Sequence, residues 1–534
     1  MFAKQYGIVV YIKMVGKKLI LDGERLTIED IVSLVRDDSL MVEVPAETLK
    51  RVSRAHEFLK SESIKRVIYG VNTGFGPMVS RLIGKNQLVD LQYNLVRSHA
   101  MGLGEPISSA FSLVAMVVRL NTLLRGYSGV SKDLIKQIEL FINHRLLPVI
   151  PEHGAVGTSG DLVQLAHIAL ALIGEGEVFY KGVRQDVAPI LQKLELVPYK
   201  LQAKEGLSLI NGTSVMAGIT ALLVDQAELA LSVATRNGAL AMEIVGAFKD
   251  SLDQDLQFIR PHPGQIKIAE VMRNLVQDSN LLRERKNFQL KHKLDDDVRE
   301  IKESGQEVYS LRCIPQILGP IYEVIAQAKK TVEIEINSVT DNPIVSVERD
   351  DFIHGGNFHG DYIASAADCL KTAIIKLTIL SERRLNFFLH DKINAIFPPF
   401  LNLKQPGLSL GLQGLQFVAT STTAQSQSLA YPHSLHSIPT NGDNQDVVSM
   451  GTDAALFMAK VIDNAFIVLA IELIALAQAV DCKNDSKKLS KAAILLYQSL
   501  RHHLPIIIED RVLIRELPAT VNWLKTDQNM NLFH

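Results

Sequence analysis

The sequence predicts a mainly α protein, with a bundle of long central helices and a smaller N-terminal domain of mixed structure. Four long segments carry apolar residues at spacings of three and four with few charges between them. They span residues 215–246, 316–338, 361–390 and 452–480. Helices this long and apolar must be buried on several sides, which is typical of a bundle and points to an oligomer. Strand signals are weaker, and a hairpin is predicted around Glu177 to Gly182.

Length and composition exclude several classes of protein. The 534 residues are 47% hydrophobic and 21% charged, which is enough for a large core and, by length, several domains. A net charge of −2 gives no electrostatic attraction to nucleic acid or to an anionic membrane. Cys313, Cys369 and Cys482 are far apart and show no metal-ligand spacing. Sparse cysteines suit a reducing compartment, so we expect a cytoplasmic protein.

Two apolar segments have features that argue against targeting or membrane insertion. The N-terminal run Gly7 to Ile12 is short, is flanked by lysines and has no small-residue cleavage site, so no signal peptide is predicted. Val461 to Val480 is the most apolar long segment, but it contains Asp463 and Glu472. Because charged groups are costly in lipid, we expect a buried helix of a bundle here rather than a membrane span.

Between residues 18 and 147 most segments are predicted to be helical. In order, these are a helix capped by Thr27 with Asp30, then Ala46 to Leu59, and a helical pattern throughout Leu88 to Leu147. A short strand and turn are predicted at Leu19 to Gly23. A second strand is predicted from Arg66 to Gly76, running into a glycine loop. Tyr69 lies in that strand, where its side chain would face a cleft.

The chain is predicted to divide into three parts. These are an N-terminal domain at 1–214, a central long-helix domain at 215–482 and peripheral C-terminal helices at 483–534. Leu207 to Ser214 is predicted to be a tight turn leading into the first long helix. The charge-rich stretch Arg273 to Gly305 is predicted to be a surface connector.

A glycine-rich turn carries the most distinctive chemistry. Gly154 to Leu162 has the sequence Gly-Ala-Val-Gly-Thr-Ser-Gly-Asp-Leu and leads into an apolar helix. Alone, it predicts a loop in which Ser159 or Asp161 caps that helix. A strained backbone would also let the Gly160 nitrogen close onto the Thr158 carbonyl carbon, because glycine has no side chain to block the approach. With the loss of two waters the product is a 4-methylideneimidazol-5-one, an electrophile that ordinary side chains do not supply.

Seven short motifs occur in order along the chain. They are Tyr69 to Gly76, Gly154 to Leu162, Asn211-Gly212-Thr213, Tyr309-Ser310-Leu311-Arg312-Cys313, Asp341-Asn342-Pro343, Gly356-Asn357-Phe358-His359 and Asn444-Gln445-Asp446. Together they resemble the aromatic amino acid lyases, which include histidine, phenylalanine and tyrosine ammonia-lyases and related aminomutases. The resemblance implies the helical fold of the fumarase/aspartase-like superfamily. It also implies a homotetramer with active sites shared between subunits, and the self-formed methylidene-imidazolone with no external cofactor.

The resemblance further implies a role for each matching residue. Tyr69 would take the β-proton of the substrate, and Thr158-Ser159-Gly160 would form the ring, with threonine where most members have alanine. Arg312 would bind the substrate carboxylate through its planar guanidinium. The other matching positions line the site in relatives: Asn211, Phe358 and Gln306 would support the cofactor, Tyr309 would take part in catalysis, and Asn342 and Gln445 would bind substrate.

Two positions bear on the choice of amino acid. The pair Ser98-His99 is found in histidine lyases and in a group of bacterial tyrosine lyases, and a histidine can hydrogen-bond a phenol or an imidazole. Gln425 stands where histidine lyases carry a glutamate, and a neutral amide cannot pair with an imidazolium. The flanking sequence also resembles tyrosine lyases more. We therefore predict conversion of L-tyrosine to trans-p-coumarate and ammonia. Histidine ammonia-lyase is the alternative, with phenylalanine ammonia-lyase or an aromatic aminomutase behind it.

Two further alternatives lie outside the ammonia-lyases. An inactive homologue is disfavoured because the tyrosine, serine, asparagine and arginine of the motifs are intact. A fumarase-like lyase would share the bundle but not the self-made electrophile. The histidine pairs His354 with His359 and His433 with His436 have no cysteine or carboxylate at a familiar metal spacing, so no metal is predicted.

Overall fold

The computed structural model describes residues 18–292, 297–298, 300–301 and 303–533, and its mainly α fold confirms the predicted class. The apolar run Gly7 to Ile12, for which no signal peptide is predicted, lies outside the described residues. Nine short strands are present in this described part. They are β1 (Lys18–Ile20), β2 (Met41–Glu43), β3 (Leu103–Pro106), β4 (Leu147–Pro148), β5 (Pro151–His153), β6 (Glu177–Tyr180), β7 (Val183–Asp186), β8 (Ile344–Ser346) and β9 (Asp351–Ile353).

Helices make up most of the described chain. The first eleven are α1 (Ile28–Arg36), α2 (Ala46–Glu62), α3 (Leu88–His99), α4 (Ser109–Leu124), α5 (Lys132–Asn143), α6 (Leu162–Leu172), α7 (Val187–Lys193), α8 (Glu205–Ile210), α9 (Ser214–Val245), α10 (Gln254–Phe258) and α11 (Pro263–Val276). The others are α12 (Arg285–Lys291), α13 (Tyr309–Arg312), α14 (Ile314–Glu335), α15 (Asp361–Leu389), α16 (Asp391–Asn394), α17 (Gln413–Ser428), α18 (Gly451–Lys483), α19 (Lys491–His503) and α20 (Glu516–Thr526). The four predicted long helices correspond to α9, α14, α15 and α18.

The chain groups into two compact units. The first comprises the described residues of Met1–Leu222, Lys329–Ala367 and Pro432–Leu456, and the second those of Leu223–Ala328, Asp368–Tyr431 and Phe457–His534. The three-part division predicted from the sequence is a different one and stays a prediction. All nine strands belong to the first unit, where they form small sheets: β1 pairs with β2 in parallel, and β3–β5, β4–β6–β7 and β8–β9 are antiparallel.

Among the described residues, two helices are long and apolar enough to cross a membrane by length and composition. In α9 and α18, however, 89% and 83% of the most apolar window is buried inside the protein. Burial of this extent is typical of core helices. Glu472, in the apolar part of α18, is fully buried and paired with the equally buried Arg384, so the charge predicted to be costly in lipid has a partner within the protein.

The segment Arg66 to Gly76 corrects one sequence-based prediction, because it forms turns rather than a strand. The Asn72 side chain accepts a hydrogen bond from Ile68 N at 2.7 Å and donates to Ser63 O at 3.0 Å. An asparagine that bonds its own neighbouring backbone competes with strand pairing. Ile68 and Val71 are buried in a cluster with α2 and β8–β9, so the turn that carries Tyr69 is held firmly.

Other local predictions need smaller corrections. The predicted helical stretch Leu88–Leu147 is interrupted by β3. The turn predicted at Leu207–Ser214 is shorter than expected: its first four residues belong to α8, and the turn occupies 211–213 before α9. The predicted connector Arg273–Gly305 contains the end of α11 and all of α12 in its described part. The hairpin at Glu177–Gly182 is confirmed as β6–β7. The Thr27 cap is also confirmed, because Thr27 and Asp30 form a reciprocal capping box.

Candidate active site

A cleft of about 530 Å³ within the first unit collects residues that are far apart in the sequence. Nine of the predicted site residues line it: Tyr69, Ser98, His99, Thr158, Ser159, Asn211, Asn342, Phe358 and Gln445. The lining also includes polar residues that the sequence analysis did not single out for a role: Asn94, His359, Asn441, Asn444 and Asp446. One signal was available for Asn94, because it lies one helical turn before Ser98 on α3 and therefore on the same face.

The turn before α6 is built against a second glycine. Gly160 has a left-handed φ of +69°, and a Cβ at this position would overlap the carbonyl oxygen of Gly212. The two segments are joined by hydrogen bonds from Asp161 N to Gly212 O (2.8 Å) and from Gly212 N to Ser159 O (3.3 Å). Only glycine fits such a close approach of two backbones. The sequence Thr-Ser-Gly is therefore held in a conformation that other residues would not adopt.

The opposite side of the same turn is also fixed. The Gly157 carbonyl accepts hydrogen bonds from Gly360 N at 2.9 Å and from Ser449 Oγ at 3.0 Å. Gly157 has a φ of +80°, and a Cβ there would overlap Ser449 Oγ. Backbone and side-chain groups thus restrain both ends of the turn.

Asp161 has a different partner from the one predicted. Its carboxylate does not cap α6; instead it accepts from Val215 N (2.8 Å) and Met216 N (3.0 Å) in the first turn of α9. The Thr452 hydroxyl donates to its other oxygen. Burial raises the pKa of Asp161 to about 6, and these hydrogen bonds act in the opposite direction. The residue therefore ties the glycine turn to the start of a core helix.

A single amide side chain bridges the two residues before Gly160. Gln445 Nε2 donates to Ser159 Oγ at 3.0 Å, and the Thr158 hydroxyl donates to Gln445 Oε1 at 3.0 Å. From the sequence, only the backbone carbonyl of Thr158 was expected to take part in forming the ring. The structure adds a side-chain contact that an alanine at this position would not make.

Tyr69 and Asn211 lie on the wall of the cleft. The Tyr69 hydroxyl oxygen accepts a hydrogen bond from Gly76 N at 3.2 Å, and the ring meets His354 edge-on at 6.4 Å between centroids. Asn211 Nδ2 donates to Asn342 O at 3.2 Å. The buried Asn211 Oδ1 has no hydrogen-bond partner among the described residues, so the amide has unused bonding capacity at the cleft.

The α3 face of the cleft has a defined hydrogen-bonding character. His99 Nδ1 lies 2.9 Å from the Leu95 carbonyl oxygen. Because a carbonyl only accepts, Nδ1 carries the proton, and in the neutral ring Nε2 is left as an acceptor. Ser98 Oγ donates to Leu95 O at 3.1 Å. With Asn94 one turn earlier, this wall places polar groups beside the apolar side chains of Leu91 and Leu95.

Comparison with known proteins identifies the chain. The profile of the family described as aromatic amino acid lyase matches residues 26–502. The chain belongs to the aromatic amino acid lyase family. It is therefore a carbon-nitrogen lyase, as the resemblance predicted.

Individual relatives agree on the family and differ in their names. The chain is 39% identical over 510 residues to a histidine ammonia-lyase from Macrococcus caseolyticus, covering 95% of this chain and 98% of that protein. Among solved structures it is similar to the tyrosine aminomutase from Streptomyces globisporus, with a TM-score of 0.91, 36% identity and coverage of 95% and 97%. It is also similar to a histidine ammonia-lyase from Trypanosoma cruzi, with a TM-score of 0.85, 30% identity and coverage of 95% and 93%.

Four predicted site residues of the lyase belong to the second unit and are not among those lining the cleft. Arg312 Nε donates to Glu307 O at 3.0 Å, and its guanidinium lies over the Tyr309 ring at 4.6 Å. Gln306 is exposed, and Gln425 is exposed on α17, where its Oε1 accepts from Asn464 Nδ2 at 3.0 Å. Within the part of the chain that the structure describes, no group of three or more histidine, cysteine or acidic side chains is arranged to hold a metal.

Proposed function

We propose that the enzyme eliminates ammonia from L-histidine to give urocanate, with L-tyrosine as the second candidate substrate. This reverses the order of preference expected from the sequence. The observation that carries the proposal is the α3 wall, which brings the polar side chains of Asn94, Ser98 and His99 to the same cleft as Ser159. Such a wall suits an imidazole or a phenol better than an unsubstituted phenyl ring. The histidine ammonia-lyase name of the Macrococcus relative favours histidine.

The turn at residues 158–160 fits the electrophile that the family implies. Gly160 presents its backbone nitrogen without a side chain, in a left-handed conformation fixed against Gly212. Asn211 borders the same space and has a buried amide oxygen without a partner among the described residues. When formed, a 4-methylideneimidazol-5-one here would supply the electron sink that ordinary side chains lack. Asn211 and Gln445 are the polar residues that we propose hold it, and Phe358 would shield it.

We propose Tyr69 as the group that accepts the β-proton. Its oxygen accepts a hydrogen bond from Gly76 N, which fixes the position of the hydroxyl at the cleft. The surrounding cleft includes apolar side chains such as Leu91 and Leu207, which exclude water and strengthen electrostatic interactions near the reacting atoms.

The carboxylate of the amino acid is assigned to Arg312. A planar guanidinium binds a carboxylate through two parallel hydrogen bonds. Stacking on Tyr309 and the bond from Arg312 Nε to Glu307 O orient this group. As in the family resemblance, we propose a cytoplasmic homotetramer whose active sites are shared between subunits. Light scattering on the purified enzyme tests the tetramer.

A specific observation favours tyrosine as the second candidate. Gln425 stands where histidine lyases carry a glutamate, and its amide is engaged with Asn464. A neutral amide at this position removes the ion pair with an imidazolium. The structural similarity to a tyrosine aminomutase points the same way. An aminomutase would use the same residues and differ in retaining ammonia until it adds back at the β-carbon.

The test is to incubate the purified enzyme separately with L-histidine, L-tyrosine and L-phenylalanine. Unsaturated acids are followed by absorbance, and β-amino acids by chromatography. We expect urocanate to form with the highest kcat/KM. The Tyr69→Phe variant should lose about 10²- to 10⁴-fold in kcat while retaining the fold.

Other outcomes of this experiment are equally informative. A higher kcat/KM for tyrosine would select the second candidate, and accumulation of a β-amino acid would assign an aminomutase. No product from any of the three amino acids would reject the proposal.

A further inference from the structure

The first unit buries several charged side chains, and three of them are connected to Asn211 through hydrogen bonds. Arg119 on α4, Lys204 before α8 and Asp341 after α14 are each no more than 1% exposed. Lys204 Nζ pairs with Asp341 Oδ2 at 2.7 Å and also donates to Ser208 Oγ at 2.9 Å. Removing charges from water costs several kcal/mol per ion, and a buried pair seldom stabilises a fold more than apolar residues would. Because the intact pair adds little net stability, whereas breaking it is strongly destabilising, the contacts of this group are the place to look for a further role.

The contacts of this network converge on Asn211. Arg119 Nη2 donates to the Asn211 carbonyl at 2.8 Å and also to the Ser208 carbonyl. Asp341 Oδ1 accepts from Asn342 N at 2.7 Å, and Asn342 O in turn accepts from Asn211 Nδ2 at 3.2 Å. Asn211 is thus held at its backbone by a cation and at its side chain by the residue that Asp341 fixes.

From Asn211 the contacts continue to the glycine turn. A Cβ on Gly212 would overlap Arg119 Nη1, and a Cβ on Gly160 would overlap the Gly212 carbonyl oxygen. Arg119, Gly212 and Gly160 are therefore stacked without space for a further atom. Because packed interiors transmit displacements, a shift of the guanidinium would be passed through Gly212 to Gly160.

We propose that Arg119, Lys204 and Asp341 are positioning residues for formation of the ring. Acting through Asn211 and Gly212, they hold the turn in the geometry that brings the Gly160 nitrogen to the Thr158 carbonyl carbon. The inference rests on the proposed function, because that function requires the ring. None of the three residues is among those lining the cleft.

The step that the network supports is balanced within the chain. A bond forms between Gly160 N and the Thr158 carbonyl carbon. The carbonyl oxygen leaves as water with the amide hydrogens of Gly160 and Ser159, which leaves a C=N bond. The Ser159 hydroxyl then leaves with the Ser159 α-hydrogen as a second water, which leaves the methylidene group. No oxidant, reductant or co-reactant is required.

The test compares two fully buried arginines. Arg119→Lys keeps the charge but removes the planar guanidinium, whose Nη2 donates to both carbonyls and whose Nη1 packs against Gly212. Arg384→Lys makes the same change in the buried pair with Glu472 in the second unit. Both purified variants and wild type are examined by circular dichroism, by intact-mass spectrometry for the loss of two waters, and by steady-state kinetics.

We expect Arg119→Lys to fold. The fraction of its chains that have lost two waters, or the rate of that loss, should be at least about tenfold lower than in wild type. Its kcat per total protein should fall in proportion, while KM of the active fraction stays unchanged. Arg384→Lys should lose both waters completely. Lys204→Met is the second variant, and it should resemble Arg119→Lys.

The remaining outcomes reject the proposal or its premise. If folded Arg119→Lys and Lys204→Met lose both waters as completely as Arg384→Lys, the network has no role in ring formation. If neither variant folds while Arg384→Lys does, the network serves folding and the proposal is rejected. If wild type itself retains both waters, the proposed function fails rather than the role of the network.

Discussion

The two units each contain a buried ion pair, and their surroundings differ. In the first unit Lys204 pairs with Asp341, and in the second Arg384 pairs with Glu472. Glu472 also accepts from the Ser381 hydroxyl and, at 3.0 Å, from Asn237 Nδ2. Its neighbours are thus side chains on long helices, and the pair contains one cation and one anion.

The pair in the first unit has an additional cation, Arg119, whose hydrogen bonds go to backbone carbonyls. Burial lowers the pKa of Arg119 to about 10, so it stays charged at neutral pH. The same kind of ion pair therefore joins helices in one region and restrains a backbone turn in the other. From this difference we expect changes to the buried charges near residues 158–160 to affect ring formation. Changes to the buried charges among the helices should affect the free energy of unfolding.

The largest expected effect is at Gly160, in the turn that the network of Arg119, Lys204 and Asp341 is proposed to restrain. No space is available there for a side chain. Gly160→Ala should abolish the loss of two waters and all detectable turnover, because the added Cβ meets the Gly212 carbonyl. Gly182→Ala is the matched control, since Gly182 has a φ of +77° and an added Cβ there would meet no atom of the described residues within 4 Å, apart from its chain neighbours. The control should cost only about 1–2 kcal/mol of stability.

Intact-mass spectrometry and an ammonia assay on both glycine variants check this prediction. A Gly160→Ala enzyme that retains wild-type mass loss and activity would show that the turn tolerates displacement. In that case the buried charges of the first unit would have no special effect on the turn, and the expected difference between the two units would be wrong.

The sequence was sufficient to predict the long helices because their apolar spacing is a local signal. Predicted and observed ends of the first long helix, 215–246 and Ser214–Val245, differ by one residue. The strand predicted at Arg66–Gly76 was wrong because the Asn72 side chain, rather than a partner strand, satisfies the local backbone. The spacing of apolar residues does not distinguish a strand from a turn that an asparagine side chain stabilises.

Site residues that belong to short sequence motifs could be predicted. Contacts between residues far apart in the sequence could not. Seven of the motif-derived site residues line one cleft together with Ser98 and His99, but Asp161 caps a helix that begins more than fifty residues later. Arg119 lies in an unremarkable apolar helix, and nothing in its sequence surroundings marks it as a neighbour of Asn211. Such pairings depend on tertiary structure alone.

Asp161, which ties the glycine turn to α9, should make the stability of the enzyme depend on pH. Its pKa is about 6 in the folded enzyme, against an ordinary value of 3.8, because of burial. Between pH 4 and pH 6 the folded state therefore binds more protons than the unfolded state. Stability from this group must fall as pH rises through that window, by about 3 kcal/mol in total.

Asp161→Asn should remove this contribution while keeping an acceptor for Val215 N. Urea unfolding midpoints of wild type and variant, measured at steps from pH 4 to pH 7, check the prediction. The midpoint of wild type relative to the variant should decline as pH rises from 4 to 6. Parallel pH profiles for the two proteins would mean that Asp161 does not titrate in this range.

The smallest expected effect is at Thr158, where only one hydrogen bond changes. Thr158→Ala removes the bond from the hydroxyl to Gln445 Oε1, worth about 1 kcal/mol, and kcat should fall about fivefold because Gln445 is less firmly held beside Ser159. Thr158→Val keeps the shape without the hydroxyl and should behave like alanine, whereas Thr158→Ser should restore activity. Steady-state kinetics of the three variants decide the point. If valine restores activity and serine does not, the methyl group rather than the hydroxyl matters, and the turn is held by packing instead of by the Gln445 bridge.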